Sequence, residues 1–93
     1  MAYLITHFWA GATMDQYNAT VAVVHPPNGL PEGQVYHVAG PTEGGVLIAA
    51  VWESKDQFDR FLRDTLMASM PIDGGFTGQP EERTAEVANL VTA

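Results

Sequence analysis

The chain has 93 residues, 46% of them apolar, no cysteine, and a formal charge of −7 from eleven acidic and four basic residues. That length suits one domain spanning residues 1–93 with a modest core, since such a chain buries roughly 60–65% of the surface its unfolded form exposes. The lack of cysteine excludes a disulfide scaffold and a thiolate site, and Lys55, Arg60, Arg63 and Arg83 cannot assemble a patch able to neutralise several phosphates, so nucleic acid and anionic membrane are poor partners beside a neutral organic ligand.

Ala2–Trp9 reads as a strand, rich in β-branched and aromatic residues. It is apolar on both sides, with Tyr3, Ile5, His7 and Trp9 on one and Leu4, Thr6 and Phe8 on the other, the pattern of a central strand. Gly11-Ala12 breaks it, and Thr13 with Gln16 three residues on matches a capping box. Met14, Tyr17, Val21 and Val24 form one helical stripe. His25-Pro26-Pro27 ends the helix, because the residue before proline disfavours the α region.

Gln34–Gly40 is the second strand, with Val35, His37 and Ala39 opposite Tyr36 and Val38. Pro41–Gly45 is a hairpin connection, and Val46–Trp52, apolar at every position, is a third and central strand. Ser54 and Gln57 form a second capping-box pattern. Phe58, Phe61, Leu62, Thr65, Leu66 and Ser69 then mark an amphipathic helix from Lys55 to Met70, stopped by Pro71. Pro71–Glu82 reads as a long loop, a length often tied to function or to an interface. Val87–Thr92 is expected to close the chain as a short strand.

The order β-α-β-β-α-β, with right-handed crossovers, predicts an α+β, ferredoxin-like domain: one antiparallel sheet in the order 4-1-3-2 with both helices on one face. The other face would then expose apolar side chains of both central strands. A monomer rarely tolerates such a patch, so a homodimer is expected. No run of about 20 apolar residues is present to span a bilayer, and the opening residues lack a signal-peptide pattern, so the expected location is the cytoplasm.

The stretch Val46-Leu47-Ile48-Ala49-Ala50-Val51-Trp52-Glu53-Ser54, continuing through Phe58 to Phe61, resembles the central segment of the dimeric α/β-barrel superfamily, within it the antibiotic biosynthesis monooxygenase-like group. The element order extends that resemblance over essentially the whole chain. It implies a pocket in each subunit. The activities it implies include cofactor-independent oxygenation of quinol- or anthrone-like aromatics and haem degradation. Oxygenases of the group commonly place an asparagine or other polar residue near a strand tryptophan, whereas the strand leading to Trp52 holds only Val, Leu, Ile and Ala. Haem-degrading members use an asparagine on the first strand and a histidine on the second helix. Neither is here, which argues against haem, and no cofactor is expected.

His7, His25 and His37 are the groups whose ordinary pKa lies near neutrality. If the sides of their strands coincide, His7 and His37 share a face and could act as general base and ligand orienter. The plainer reading of each is a hydrogen-bonded core or interface histidine. His25, at a helix end, suits the helix dipole or a pocket mouth. Trp9, Trp52 and Tyr36 could hold a flat aromatic ligand or simply fill a core. Asn89, expected on the last strand, could orient a substrate oxygen or face solvent. Histidine spacing gives no signal for a metal, and Gly74–Gly78 lacks the end of a P-loop. Two readings remain: a cofactor-free oxygenase or related enzyme on an aromatic or polyketide-like molecule, and a non-catalytic ligand-binding or structural homodimer.

Overall fold

The computed structural model describes residues 2–27 and 29–93. Four strands, β1 (Tyr3–Ala10), β2 (Gln34–Thr42), β3 (Gly45–Trp52) and β4 (Glu81–Glu86), form one antiparallel sheet in the order β2-β3-β1-β4. Read from the other edge this is the 4-1-3-2 order expected from the sequence, and β1 and β3 are central. Helix α1 (Met14–Val24) joins β1 to β2, and α2 (residues 55–69) joins β3 to β4.

Local chemistry sets the helix ends. Thr13 and Gln16 form a complete capping box at α1: the Thr13 hydroxyl accepts from the Gln16 N–H, and the Gln16 side chain accepts from the Thr13 N–H. At α2 the box is half made. The Ser54 hydroxyl accepts from the Gln57 N–H at 3.2 Å, while the Gln57 amide donates to Glu53 instead of closing on the Ser54 backbone. The β2–β3 turn is tighter than Pro41–Gly45, because the strands run on to Thr42 and resume at Gly45. Gly44 carries φ +85°, and a side chain at Gly45 would collide with the Trp9 carbonyl oxygen.

Helix α2 is not regular. It is α-helical over Lys55–Phe61, π-helical over Leu62–Leu66 and α-helical again over Met67–Ser69, with the Met67 N–H reaching the Leu62 carbonyl. Periodicity alone does not reveal this widening. Turns of this kind are rare and recur beside functional sites.

The last strand requires a correction. It runs over Glu81–Glu86 and not over Val87–Thr92, and its register with β1 pairs Tyr3 with Glu86 and Phe8 with Glu81. Every residue of this strand is exposed. It is held by backbone hydrogen bonds to β1, and its charged side chains suit an unpaired sheet edge. Val87 is half-buried and its N–H bonds to the Ala2 carbonyl, and residues 88–92 form an exposed tail with Leu90 and Val91 in solvent.

Both helices cover one face of the sheet, here called the inner face. Its side chains build two core clusters. One joins Ile5, Ala50 and Trp52 to Phe58 of α2. The other joins Trp9, Val46 and Ile48 to Phe76 from the loop after α2. Trp52, Ile5 and Val46 are almost wholly buried, and each such side chain contributes about 1.5–3 kcal/mol of burial energy. The opposite face is open, and Tyr36, Val38 and Leu47 are exposed there.

Candidate functional site

A cavity of about 300 Å³ lies between the inner face of the sheet and the helices. Its floor includes His7 and Trp9 of β1, Gln34 and His37 of β2, and Ile48 and Trp52 of β3. Tyr17 and His25 close it from the α1 side, Phe58, Phe61 and Leu66 from α2, and Phe76 from the loop. Leu62 and Leu66 of the π turn both reach it. A second, more open groove of about 310 Å³ beside Pro31, Glu32 and Arg60 contains no histidine.

Of the seven residues singled out from the sequence, the structure brings five to this cavity: His7, His37, Trp9, Trp52 and His25. Tyr36 is on the open face of the sheet, 43% exposed, and Asn89 is in the exposed tail beyond β4. Neither lines the cavity.

A β-bulge shapes the β2 side. Gln34 pairs with Trp52 and Tyr36 with Val51, so Val35 is an extra residue in the ladder. Simple alternation would have put Val35 beside His37 on the inner face. Instead Val35 is exposed, and the bulge returns Gln34 to the inner face two pairs from His37. Gln34 Oε1 then lies 3.0 Å from His37 Nδ1, and the Tyr17 hydroxyl lies 2.6 Å from His37 Nε2. The His25 ring meets His37 edge-on at 4.7 Å between centroids. Burial, with the His25 ring adding to it, holds the pKa of His37 at about 4. Burial also lowers that of His25 and raises that of Tyr17. At neutral pH this corner therefore holds two neutral imidazoles and a protonated phenol.

The β1 side differs. His7 Nε2 sits 2.8 Å from Glu82 Oε2 of β4, where the Glu82 side chain is half-exposed. His7 and His37 face the cavity from either side of β3, two strand spacings or about 10 Å apart across the sheet.

The loop after α2 is held down by a buried polar contact. The Thr20 hydroxyl donates to the Gln16 carbonyl at 2.9 Å and accepts from the Phe76 N–H at 3.0 Å. Phe76 stacks on Trp9 with centroids 4.4 Å apart. A side chain at Gly75 would meet the Thr20 hydroxyl, so glycine lets this segment approach α1. Among the described residues, no cluster of three or more His, Asp or Glu side chains could hold a metal ion, and no helix is long and apolar enough to cross a membrane.

Among the cavity residues that sequence reasoning did not assign to a site are Tyr17, Gln34 and Phe76. Tyr17 is indistinguishable from a core residue on its helical stripe, Gln34 depends on the bulge, and Phe76 comes from a loop. The only signal for Phe76 was a lone aromatic among glycines.

Neither a protein-family model nor a curated protein matches the sequence significantly. Solved structures do match over nearly the full length. A Chloroflexus aurantiacus protein described as an antibiotic biosynthesis monooxygenase is 16% identical, with a TM-score of 0.66 over 99% of this chain and 98% of that one. The fold is that of the antibiotic biosynthesis monooxygenase group. SnoaB, a cofactor-independent oxygenase from Streptomyces nogalater, is 15% identical, with a TM-score of 0.63 over 99% and 97% of the two chains. Rv0793 from Mycobacterium tuberculosis is 11% identical, with a TM-score of 0.64 over 98% of each. The resemblance read from the Val46–Phe61 stretch is thus matched by the whole monooxygenase-type fold.

Proposed function

We propose that the protein is a small cofactor-independent oxygenase that binds an aromatic molecule between its sheet and its helices. One observation carries this reading: a neutral imidazole, hydrogen-bonded to a phenol, faces a cavity walled mainly by apolar and aromatic side chains. The volume, about 300 Å³, is at the lower end of small-molecule sites, which run from about 300 to 1,000 Å³. The likeness in fold to a cofactor-independent oxygenase supports the same reaction class.

Without a cofactor, the substrate itself must supply electrons to dioxygen. An anthrone-like substrate does so once it loses a proton from its methylene carbon. The His37–Tyr17 pair takes that proton, and the apolar walls keep the resulting anion away from water. The anion passes one electron to dioxygen, and the two radicals couple to form a C–O bond. With the proton returned, the product is a hydroperoxide. Loss of water across its O–O bond leaves a carbonyl where the substrate had a methylene, and the second oxygen atom departs in the water. Trp52 and Trp9 flank the ring.

The exposed apolar face supports a homodimer in which a second copy covers Val38, Leu47 and Tyr36. Light scattering should give twice the chain mass of 10.0 kDa, and a monomeric mass at micromolar concentration would contradict the pairing. The reaction is tested with an oxygen electrode over a panel of quinols and anthrones. Uptake with at least one anthrone, forming the anthraquinone with one atom of dioxygen in its new carbonyl, is expected. Binding with no uptake across the panel would leave a ligand-binding dimer in place of an oxygenase.

A further inference from the structure

The three side chains Gln34, His37 and Tyr17 form an unbroken chain of hydrogen bonds, and its direction follows from donor and acceptor chemistry. Gln34 Oε1 has no proton to give, so the 3.0 Å contact requires a proton on His37 Nδ1. A neutral imidazole carries only one, which leaves Nε2 bare. The 2.6 Å contact to Nε2 is therefore a hydrogen bond donated by the Tyr17 hydroxyl. A hydroxyl that donates in this way keeps its own lone pairs free, and Tyr17 lines the cavity.

We propose that Tyr17 is the catalytic residue that meets the substrate, that His37 takes the proton through it, and that Gln34 is the positioning residue that sets the direction of this relay. In the proton-transfer step the substrate X–H bond breaks toward the Tyr17 oxygen, leaving its electron pair on the substrate. The Tyr17 O–H proton moves at the same time to His37 Nε2. The products are a substrate anion, an intact phenol and an imidazolium whose Nδ1–H remains on Gln34 Oε1. The step moves a proton within the cavity and leaves its net charge unchanged.

The bulge at Val35 is the structural device behind this. Without the extra residue, Gln34 would point to the open face, and Nδ1 would face an apolar valine. His7 has no equivalent arrangement. Its Nε2 is engaged by a half-exposed carboxylate, so the two strand histidines are not interchangeable.

The substrate in this relay rests on the oxygenase reading, but the relay itself exists in the resting protein and is tested there. Long-range ¹H–¹⁵N correlation on the histidine-labelled protein reports which ring nitrogen carries the proton. At pH 7 His37 is expected as the Nδ1–H tautomer. Gln34→Leu should move more than half of it to Nε2–H, and Gln34→Glu should keep it at Nδ1–H. An Nε2–H tautomer in the unaltered protein, or no change in Gln34→Leu, would overturn the role of Gln34 whether or not any oxygen uptake is found.

With an active substrate in hand, Tyr17→Phe should lower kcat by about 10²-fold with little change in KM. The phenylalanine keeps the ring against Phe76, so the cavity wall stays in place. Gln34→Leu should cost roughly 10-fold, largely restored in Gln34→Glu. Unchanged turnover in Tyr17→Phe would overturn the relay while leaving the oxygenase reading intact.

Discussion

His7 and His37 stand on the same face of one sheet, on either side of β3, and the structure gives them opposite surroundings. His37 is packed among Tyr17, His25 and Gln34 and is held neutral by burial. His7 lies against the edge strand and pairs with Glu82, whose side chain is 45% exposed. The difference arises from what covers each side of the sheet. Over β2, helix α1 brings a phenol and a second imidazole down onto the histidine. Over β1, the neighbour is β4, a charged strand with no apolar side chain larger than alanine. Identical residues at similar positions thus acquire different surroundings, one a corner suited to handling a proton away from water and the other a hydrogen bond to a half-exposed carboxylate.

Paired substitutions give the sharpest contrast. His37→Ala should lower turnover by about 10²–10⁴-fold, the usual contribution of a general base. His7→Ala should lower it by less than about 10-fold, because its Nε2 is already engaged by Glu82 and it stands outside the Gln34–His37–Tyr17 relay. Steady-state rates on one substrate decide this, and an equal loss from both would erase the distinction.

The next effect is on stability. Phe76→Ala removes the ring that stacks on Trp9 and closes the cavity, and should cost about 3–5 kcal/mol in denaturant unfolding. A loss below about 1 kcal/mol would mean that the loop after α2 is only loosely attached.

A smaller effect depends on pH. The folded-state pKa of His37, about 4, lies below the ordinary 6.5, so the unfolded chain binds this proton first as pH falls. The stabilisation by neutral His37 is complete above about pH 6.5 and is lost progressively down to about pH 4. Allowing for the part of the ring that solvent screens, the loss is on the order of 1–2 kcal/mol. His25, lowered by burial, adds in the same direction. Unfolding measured between pH 7 and pH 4.5 should show a shallower dependence in His37→Gln, and an unchanged slope would contradict the burial of His37. The smallest effect is expected at the other side. Glu82→Gln should change stability by less than about 1 kcal/mol, with the difference shrinking at high salt.

The parts of the fold legible in the sequence were those written in apolar spacing. The two-sided apolar pattern of β1 and β3 marked them as central, and the stripe through Tyr17, Val21 and Val24 placed α1 over the cavity. β4 was misplaced because pairing through backbone groups leaves no trace in side-chain pattern, whereas the apolar pattern of residues 87–92 imitated a strand. The candidate site was half legible. Strand alternation brought His7, Trp9 and Trp52 to one face, and His37 joined them there. The bulge that delivers Gln34 to His37 was not legible, because an added residue reverses alternation without changing composition. Tyr17 was hidden because a phenol in a helical stripe packs like any other aromatic until its hydroxyl finds a partner.

The contrast between the two histidines is tested most directly by following each imidazole through a pH titration by NMR. A His37 resonance that stays neutral until the pH falls well below 5, with a midpoint near 4, is the expected result. A midpoint at or above 6 would contradict it, since His37 would then be a solvated side chain like any other and the corner built by Tyr17, His25 and Gln34 would have no chemistry of its own.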